Sequence, residues 1–390
     1  MQPDALTIIT AIAVLLFVGL VCSWLATKLK IPDVLLLILA GMAFGHATFR
    51  GQPLVEFPEI FLTGMAILAL AMIVFDSTAR LRLREFDVFS IKALKLTVTS
   101  VFFTLVLFTL AIHYLLKLPI WLSILFATLM SGTSPDVLLP LRIAKSRVIS
   151  LLKLESIFNT PLTVILPFIV IDLMQGVKTE LVSEIVEQLV PFVMKFIVGI
   201  GAGVFVGIIL FKLVQKVYTE VYSPLAVIIA ALLAFVLAEN LGGSGVLSVT
   251  ALGLFFGNVY VKEKPALLTI ESVLTKALFI FVFILAGLII KIPLTKEFFL
   301  TSGLLFGAYI LIRFLAVLIS IRRENYSLGE KFFATLNVPK GIATVAVVFM
   351  LALYNIEGIA LILDLTLAFV LYSIIISSIV ASVSRVFVKR

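Results

Sequence analysis

Four ionisable side chains fall inside long apolar stretches of this sequence, where a charge is hard to accommodate. Two of them are acidic, Asp136 and Glu155, and two are basic, Arg313 and Lys340. A charged group at membrane depth costs at least ~2.5–3.5 kcal/mol, so such groups usually line an ion pathway or neutralise one another. A buried carboxylate can hold either a dehydrated cation or a proton, and the two then compete for it. These charges therefore predict a proton-coupled ion carrier, and a purely structural network of ion pairs is the alternative.

Helix-breaking residues interrupt two of the apolar stretches. One break is Gly132-Thr133-Ser134-Pro135 and the other is Val338-Pro339-Lys340-Gly341. Proline removes a backbone donor and glycine relaxes the backbone, which leaves carbonyl groups and half-helix ends free to meet an ion. Two simple proline kinks are the alternative, since membrane helices tolerate proline. Together with the buried charges, the paired breaks favour a secondary transporter built from inverted repeats.

Between the two breaks, a cluster of three polar residues lies within another apolar stretch. Glu155 and Asn159 are four residues apart, so they share one face of a helix, and Ser156 lies beside them.

The composition requires a bilayer as the solvent. The chain has 390 residues, of which 62% are hydrophobic and 13% are charged, and its mean hydropathy is +1.25. This is far more apolar surface than one soluble core can hide, and no stretch remains for a soluble domain. The single cysteine, Cys22, excludes a disulfide framework and a thiolate metal site.

Thirteen apolar runs are predicted to cross the membrane as helices. They cover residues 6–27, 34–46, 60–76, 93–115, 119–141, 148–174, 189–214, 223–240, 245–261, 270–290, 297–320, 333–354 and 358–384. The connectors place 21 lysine and arginine residues on one side of the membrane and five on the other. Because cytoplasmic connectors carry the positive excess, we expect the N-terminus outside and the C-terminus in the cytoplasm. The +8 net charge is explained in the same way, so no nucleic-acid partner is expected.

Six segments, in this order, resemble the monovalent cation:proton antiporter superfamily, and within it the NhaP-like sodium/proton exchangers. They are residues 73–76, 131–135, 155–160 and 237–247, Arg313, and residues 339–341. Residues 131–135 are similar to the family's Ser-Ala-Thr-Asp-Pro, and residues 155–160 to its Glu-Ser-Leu-Phe-Asn-Asp. Ser134 and Thr160 stand where the family has aspartates, and the second of these aspartates is its ion and proton carrier. We expect that Asp136 has taken over that role.

The resemblance also implies roles for the neighbouring residues. The cation would bind at Asp136 with help from hydroxyl and amide groups, those of Thr133, Ser134, Ser156, Asn159 and Thr160. Glu155 would form a structural ion pair with Arg313. Lys340 would offset the negative half-helix ends where the broken helices cross.

The implied architecture is an all-α membrane protein with the NhaA-like inverted-repeat fold. Residues 92–176 and 293–390 would form a moving ion-binding core, and residues 1–91 and 177–292 a scaffold through which two copies form a homodimer. The expected activity is exchange of Na⁺ or K⁺ for protons across the plasma membrane by alternating access, without enzymatic activity or a cofactor. A sodium-coupled symporter for an organic solute and a transport-deficient membrane protein are the alternatives.

Overall fold

The chain is almost entirely helical wherever its structure is described. A computed structural model describes residues 5–29, 33–49, 52–53, 57–79, 88–134, 147–176, 182–216, 222–259, 264–289, 292–322 and 324–387. The exception is a short antiparallel pairing of β1 (Thr48–Phe49) with β2 (Gln52–Pro53) after the second helix. The predicted all-α class is confirmed.

In the described residues, six helices and one π-helical turn precede the first break. They are α1 (Ala5–Leu29), α2 (Asp33–His46), α3 (Glu59–Ala79), α4 (Val88–Phe103), the π-helical turn Thr104–Phe108, α5 (Thr109–Leu116) and α6 (Ile120–Met130).

Ten helices follow it in the part of the chain that the structure describes. They are α7 (Arg147–Gly176), α8 (Val182–Lys216), α9 (Tyr222–Asn240), α10 (Gly245–Asn258), α11 (Lys264–Ile289), α12 (Lys296–Ser320), α13 (Leu328–Leu336), α14 (Ile342–Leu351), α15 (Ile359–Ser382) and α16 (Ser384–Phe387).

Each of the thirteen predicted runs overlaps at least one of these helices. Seven described helices are long and apolar enough to cross a bilayer, and five apolar helices are shorter. Two predicted runs contain more than one helix. The fourth is divided by the π-helical turn at Thr104–Phe108, and the twelfth includes the second half of α13 and all of α14. The structure therefore agrees with the placement of the apolar runs, and the number of membrane crossings stays a prediction.

The two predicted breaks lie next to each other in space. Helix α6 ends at Met130 and the chain is not helical over 131–134, while α13 ends at Leu336 and α14 begins only at Ile342. The backbone N–H of Ser134 donates to the carbonyl oxygen of Pro339 at 2.7 Å. The broken helices thus meet through their non-helical segments, which we call the crossing. Residues 135–146, including Asp136, lie outside the described residues.

Close backbone contact holds α8 against α10. A side chain on Gly203 of α8 would place its Cβ 2.0 Å from the carbonyl oxygen of Ser248 in α10. Without hydrophobic attraction between helices in lipid, small residues that allow such close approach are what make helices associate.

An apolar cluster fixes the helices that carry the charged residues. Leu96 of α4, Leu151 of α7, Val317 of α12 and Phe333 of α13 pack together and are fully buried. Glu155 follows Leu151 by one helical turn, and Arg313 precedes Val317 by one turn. The cluster therefore brings the charged residues of α7 and α12 to the same edge of the packed helices.

Candidate ion-binding site

The carboxylate of Glu155 and the guanidinium group of Arg313 form a buried, two-pronged ion pair. Arg313 donates to both carboxylate oxygens, over 2.6 Å from Nη1 to Oε1 and 2.7 Å from Nη2 to Oε2. Exposed fractions of 1% for Glu155 and 4% for Arg313 show that water does not screen the pair. Parallel charge-assisted bonds of this kind are among the stronger ones in proteins. The negative charge of Glu155 is therefore already neutralised.

The hydroxyl group of Ser100 belongs to the same site, although the sequence analysis did not identify it. Arg313 donates through Nη1 to Ser100 Oγ, and Ser100 lies on α4. A serine within an apolar run carries no signal by itself, because most such hydroxyls bond to their own helix.

Asn159, one turn after Glu155, faces the first break. Its Nδ2 donates to Thr133 Oγ1 at 3.1 Å and to Glu155 Oε1 at 3.4 Å. The side chain is fully buried, and its Oδ1 has no hydrogen-bond partner among the described residues. A buried carbonyl oxygen left without a partner costs about 1–3 kcal/mol, so it marks a position where another group can bind.

Glycine allows the first break to lie directly against α7. A Cβ on Gly132 would be 1.6 Å from the hydroxyl oxygen of Thr163 in α7, so no other residue fits there without a shift. This approach places Thr133, the next residue, within hydrogen-bond distance of Asn159.

Lys340 neutralises the end of α6 at the crossing. Its Nζ donates to the carbonyl oxygens of Met130 and Gly132 and to the hydroxyl oxygen of Tyr309, each at 2.6 Å. The side chain is fully buried, and its backbone N–H donates to Ser373 Oγ at 2.9 Å. A helix C-terminus carries partial negative charge, so the ammonium group lies where that charge is concentrated.

Tyr309 is a second residue that sequence reasoning missed. It is buried on α12, four residues before Arg313, so both side chains lie on one face of the helix. The Lys340 Nζ atom also lies 4.5 Å from the centre of the tyrosine ring. Its spacing from Arg313 is the one sequence signal that could have indicated it.

The remaining predicted residues occupy less direct positions. Ser156 Oγ donates to the carbonyl oxygen of Lys153 at 2.7 Å, and Thr160 Oγ1 donates to that of Ser156 at 2.8 Å. Both hydroxyls thus use their proton within α7 and keep oxygen lone pairs. The structure brings together Thr133, Glu155, Asn159 and Arg313, with Lys340 at the crossing.

Two broken membrane helices that cross beside a buried polar site define a secondary transporter. The family described as "Sodium/hydrogen exchanger, transmembrane" matches residues 12–386 of the chain. The chain belongs to this family of exchangers. The predicted family is confirmed, and neither the family match nor the similar proteins favour the solute-symporter alternative.

Similar proteins and structures agree with this assignment. The chain is 26% identical over 341 residues to a probable Na(+)/H(+) antiporter 2 of Methanocaldococcus jannaschii, covering 83% of this chain and 79% of that protein. It is 27% identical over 375 residues to the K(+)/H(+) antiporter NhaP2 of Shewanella baltica, covering 95% of this chain and 63% of that protein. The NhaP2 relative is thus longer than the region that matches.

The fold is that of a solved antiporter structure. The structure of the sodium proton antiporter MjNhaP1 from Methanocaldococcus jannaschii superposes with a TM-score of 0.79 at 22% identity, and the match covers 97% of each chain. The likeness confirms that the predicted all-α membrane fold is an antiporter fold, here of the NhaP type.

Proposed function

We propose that the protein exchanges a monovalent cation, Na⁺ or K⁺, for protons by alternating access at the crossing. The observation that carries the proposal is the carboxamide of Asn159. Its Oδ1 is buried, has no hydrogen-bond partner in the described part of the chain, and lies on the helix face that meets the first break. A carbonyl oxygen so placed can replace part of the hydration shell of a cation.

Neighbouring oxygens complete the proposed cation site. Thr133 Oγ1 accepts a hydrogen bond from Asn159 and has a further lone pair for an ion. Ser134, Ser156 and Thr160 supply hydroxyl oxygens on the two segments that enclose the site. Neutral oxygens alone would bind a cation without coupling it to protons.

Asp136 supplies that coupling in the proposal. Glu155 is engaged by Arg313, and Lys340 by three acceptors, so neither is available as the shared carrier. Asp136 follows Thr133 by three residues, which puts a carboxylate within the same short segment. When it holds a cation the proton is absent, and when it is protonated the cation leaves.

The arrangement in the membrane is part of the same proposal. The N-terminus lies outside and the C-terminus in the cytoplasm of a plasma-membrane protein, which is supported by the 21 basic residues on one side against five on the other. Residues 92–176 and 293–390 move as the ion-binding core, and residues 1–91 and 177–292 form the scaffold and the homodimer contact.

Exchange in proteoliposomes tests the function. Addition of Na⁺ or K⁺ outside vesicles that contain the protein should release protons from inside, as followed by a pH-sensitive dye. Comparing Li⁺, Na⁺, K⁺ and Ca²⁺ then identifies the cation. Absence of proton movement with every cation would contradict the proposal.

Replacement of the carrier tests the site. Asp136→Asn keeps the shape of the side chain and removes its charge, so exchange should vanish. Glu297→Gln is the matched control, because Glu297 is an exposed carboxylate in the first turn of α12, and exchange should be unchanged. If Asp136→Asn exchanges at the normal rate, the carrier is elsewhere and Glu155 becomes the next candidate.

A further inference from the structure

A cavity of about 580 Å³ lies between helices of the proposed core and helices of the proposed scaffold. Its lining comes from the last turns of α7, the part of α8 around Lys195, the end of α9 with residues 242–246, the end of α14 with Tyr354, and, at its inner end, the middle of α3. In the proposed orientation all these parts except the middle of α3 lie toward the outside. The cavity is therefore where a cation arrives from the external solution.

Three charged residues line this cavity in the described part of the chain. They are Asp172 of α7, Lys195 of α8 and Glu239 of α9. Lys195 Nζ and Asp172 Oδ1 form an ion pair at 2.6 Å, with side chains that are 42% and 24% exposed. The pair joins the proposed core to the proposed scaffold and stays partly exposed in the cavity.

The two carboxylates are held in different ways. Glu239 Oε1 accepts a hydrogen bond at 2.7 Å from the backbone N–H of Gly245, the first residue of α10, and so is held inside the scaffold. Asp172 bonds across the cavity to Lys195, which is itself fixed to the scaffold because its carbonyl oxygen accepts from Ser244. If the core moves against the scaffold, Asp172 and Lys195 are the groups that separate.

We infer that Lys195 sets the affinity for the cation on the outer side of the membrane, by neutralising Asp172 and repelling cations in this cavity. The inference rests on the proposed exchange function and deepens it. With Lys195 present, the three charges sum to one negative charge, and without it the cavity carries two. In a partly hydrated cavity, a difference of one unit charge should change the affinity for an arriving cation by about two- to tenfold.

Kinetics measured from each side separately test the inference. In oriented proteoliposomes, Lys195→Met should lower the KM for external Na⁺ or K⁺ by about two- to tenfold. Asp172→Asn leaves Lys195 without its partner and should raise the external KM by a similar factor. The KM for the cation on the cytoplasmic side should stay the same in both variants.

Lys296→Met is the matched control. Lys296 is an exposed lysine at the start of α12, on the same predicted side but outside the cavity lining. Its replacement should leave the external KM unchanged. An equal fall in Lys296→Met, or no fall in Lys195→Met, would overturn the inference.

Chemical restoration of the charge separates this role from damage to the fold. The chain has one cysteine, so Lys195→Cys in a Cys22→Ser background offers a single thiol. Reaction with aminoethyl methanethiosulfonate restores a positive charge and should return the external KM to the normal value, whereas the neutral methyl reagent should not. If both reagents change the external KM alike, the charge at residue 195 is not what sets it. If the unaltered protein exchanges no cation, it is the proposed function that fails.

Discussion

The ammonium group of Lys340 lies 2.6 Å from the carbonyl oxygen of Met130, the last residue of α6. Gly132 and Tyr309 accept its two other hydrogen bonds, so each of the three ammonium protons has an acceptor. The positive charge is thereby fixed at the negative end of one half-helix, with no exposure to water. We infer that Lys340 holds the crossing together.

Replacement of Lys340 by methionine should destabilise the protein. The variant leaves the carbonyl oxygens of Met130 and Gly132 buried without their donor, at a cost of about 1–3 kcal/mol each. Tyr309→Phe removes only one acceptor and should cost about 1 kcal/mol. In detergent, the unfolding temperature should therefore be highest for the unaltered protein, lower for Tyr309→Phe and lowest for Lys340→Met. An unfolding temperature of Lys340→Met equal to that of the unaltered protein would show that the site tolerates the loss.

Glu155 and Arg313 should behave as one unit in a double-mutant cycle. Each single change, Glu155→Ala or Arg313→Ala, leaves an uncompensated charge in a buried site, at a cost of about 3–5 kcal/mol. Folded yield by size-exclusion chromatography should fall in both variants, and the charge-swapped double variant should recover part of it. Additive losses in the Glu155→Ala, Arg313→Ala double variant would contradict a coupled pair.

The sequence predicted the apolar runs and the breaks well because both depend on local chemistry. A run of apolar residues fixes a membrane helix, and proline beside glycine interrupts one whatever surrounds it. At the second break, the structure agrees with the prediction, because α14 begins only at Ile342. The resemblance likewise pointed to Glu155 and Arg313, which are 158 residues apart in the chain.

Ser100 and Tyr309 were not predicted, because their contacts depend on how α4 and the π-helical turn Thr104–Phe108 pack against α12. Ser100 contacts Arg313, and Phe108, eight residues later, lies 5.4 Å from the Tyr309 ring, measured between ring centres. Two regular α-helical turns take about seven residues. The π-helical turn Thr104–Phe108 accommodates the extra residue, so that both side chains face α12. A sequence pattern that assumes a regular α-helix does not predict this one-residue shift in which side chains face α12.

Accessibility of single cysteines should establish the topology. In a Cys22→Ser background, Lys296→Cys should react with a membrane-impermeant maleimide added outside intact cells. Lys212→Cys, on an exposed position near the end of α8, should react only after the membrane is opened. We expect this result because the connectors with the excess of basic residues, which include Lys212, are predicted to lie in the cytoplasm. Reaction of Lys212→Cys in intact cells would contradict the proposed orientation.

Restoring the family's acidic residue through Thr160→Asp tests which carboxylate couples cations to protons. Thr160 lies one residue after Asn159, and its hydroxyl bonds to the carbonyl oxygen of Ser156, so an aspartate there adds a second negative group beside the cation. With Asp136 alone as the carrier, one cation exchanges for one proton and the rate should not respond to membrane voltage. The variant should change the preference among Li⁺, Na⁺ and K⁺ or make exchange sensitive to a valinomycin-imposed potential.

Thr160→Asn is the control, because it adds similar bulk without charge and should keep the exchange insensitive to voltage. Voltage-sensitive exchange by the unaltered protein would show that a second group already titrates during the cycle.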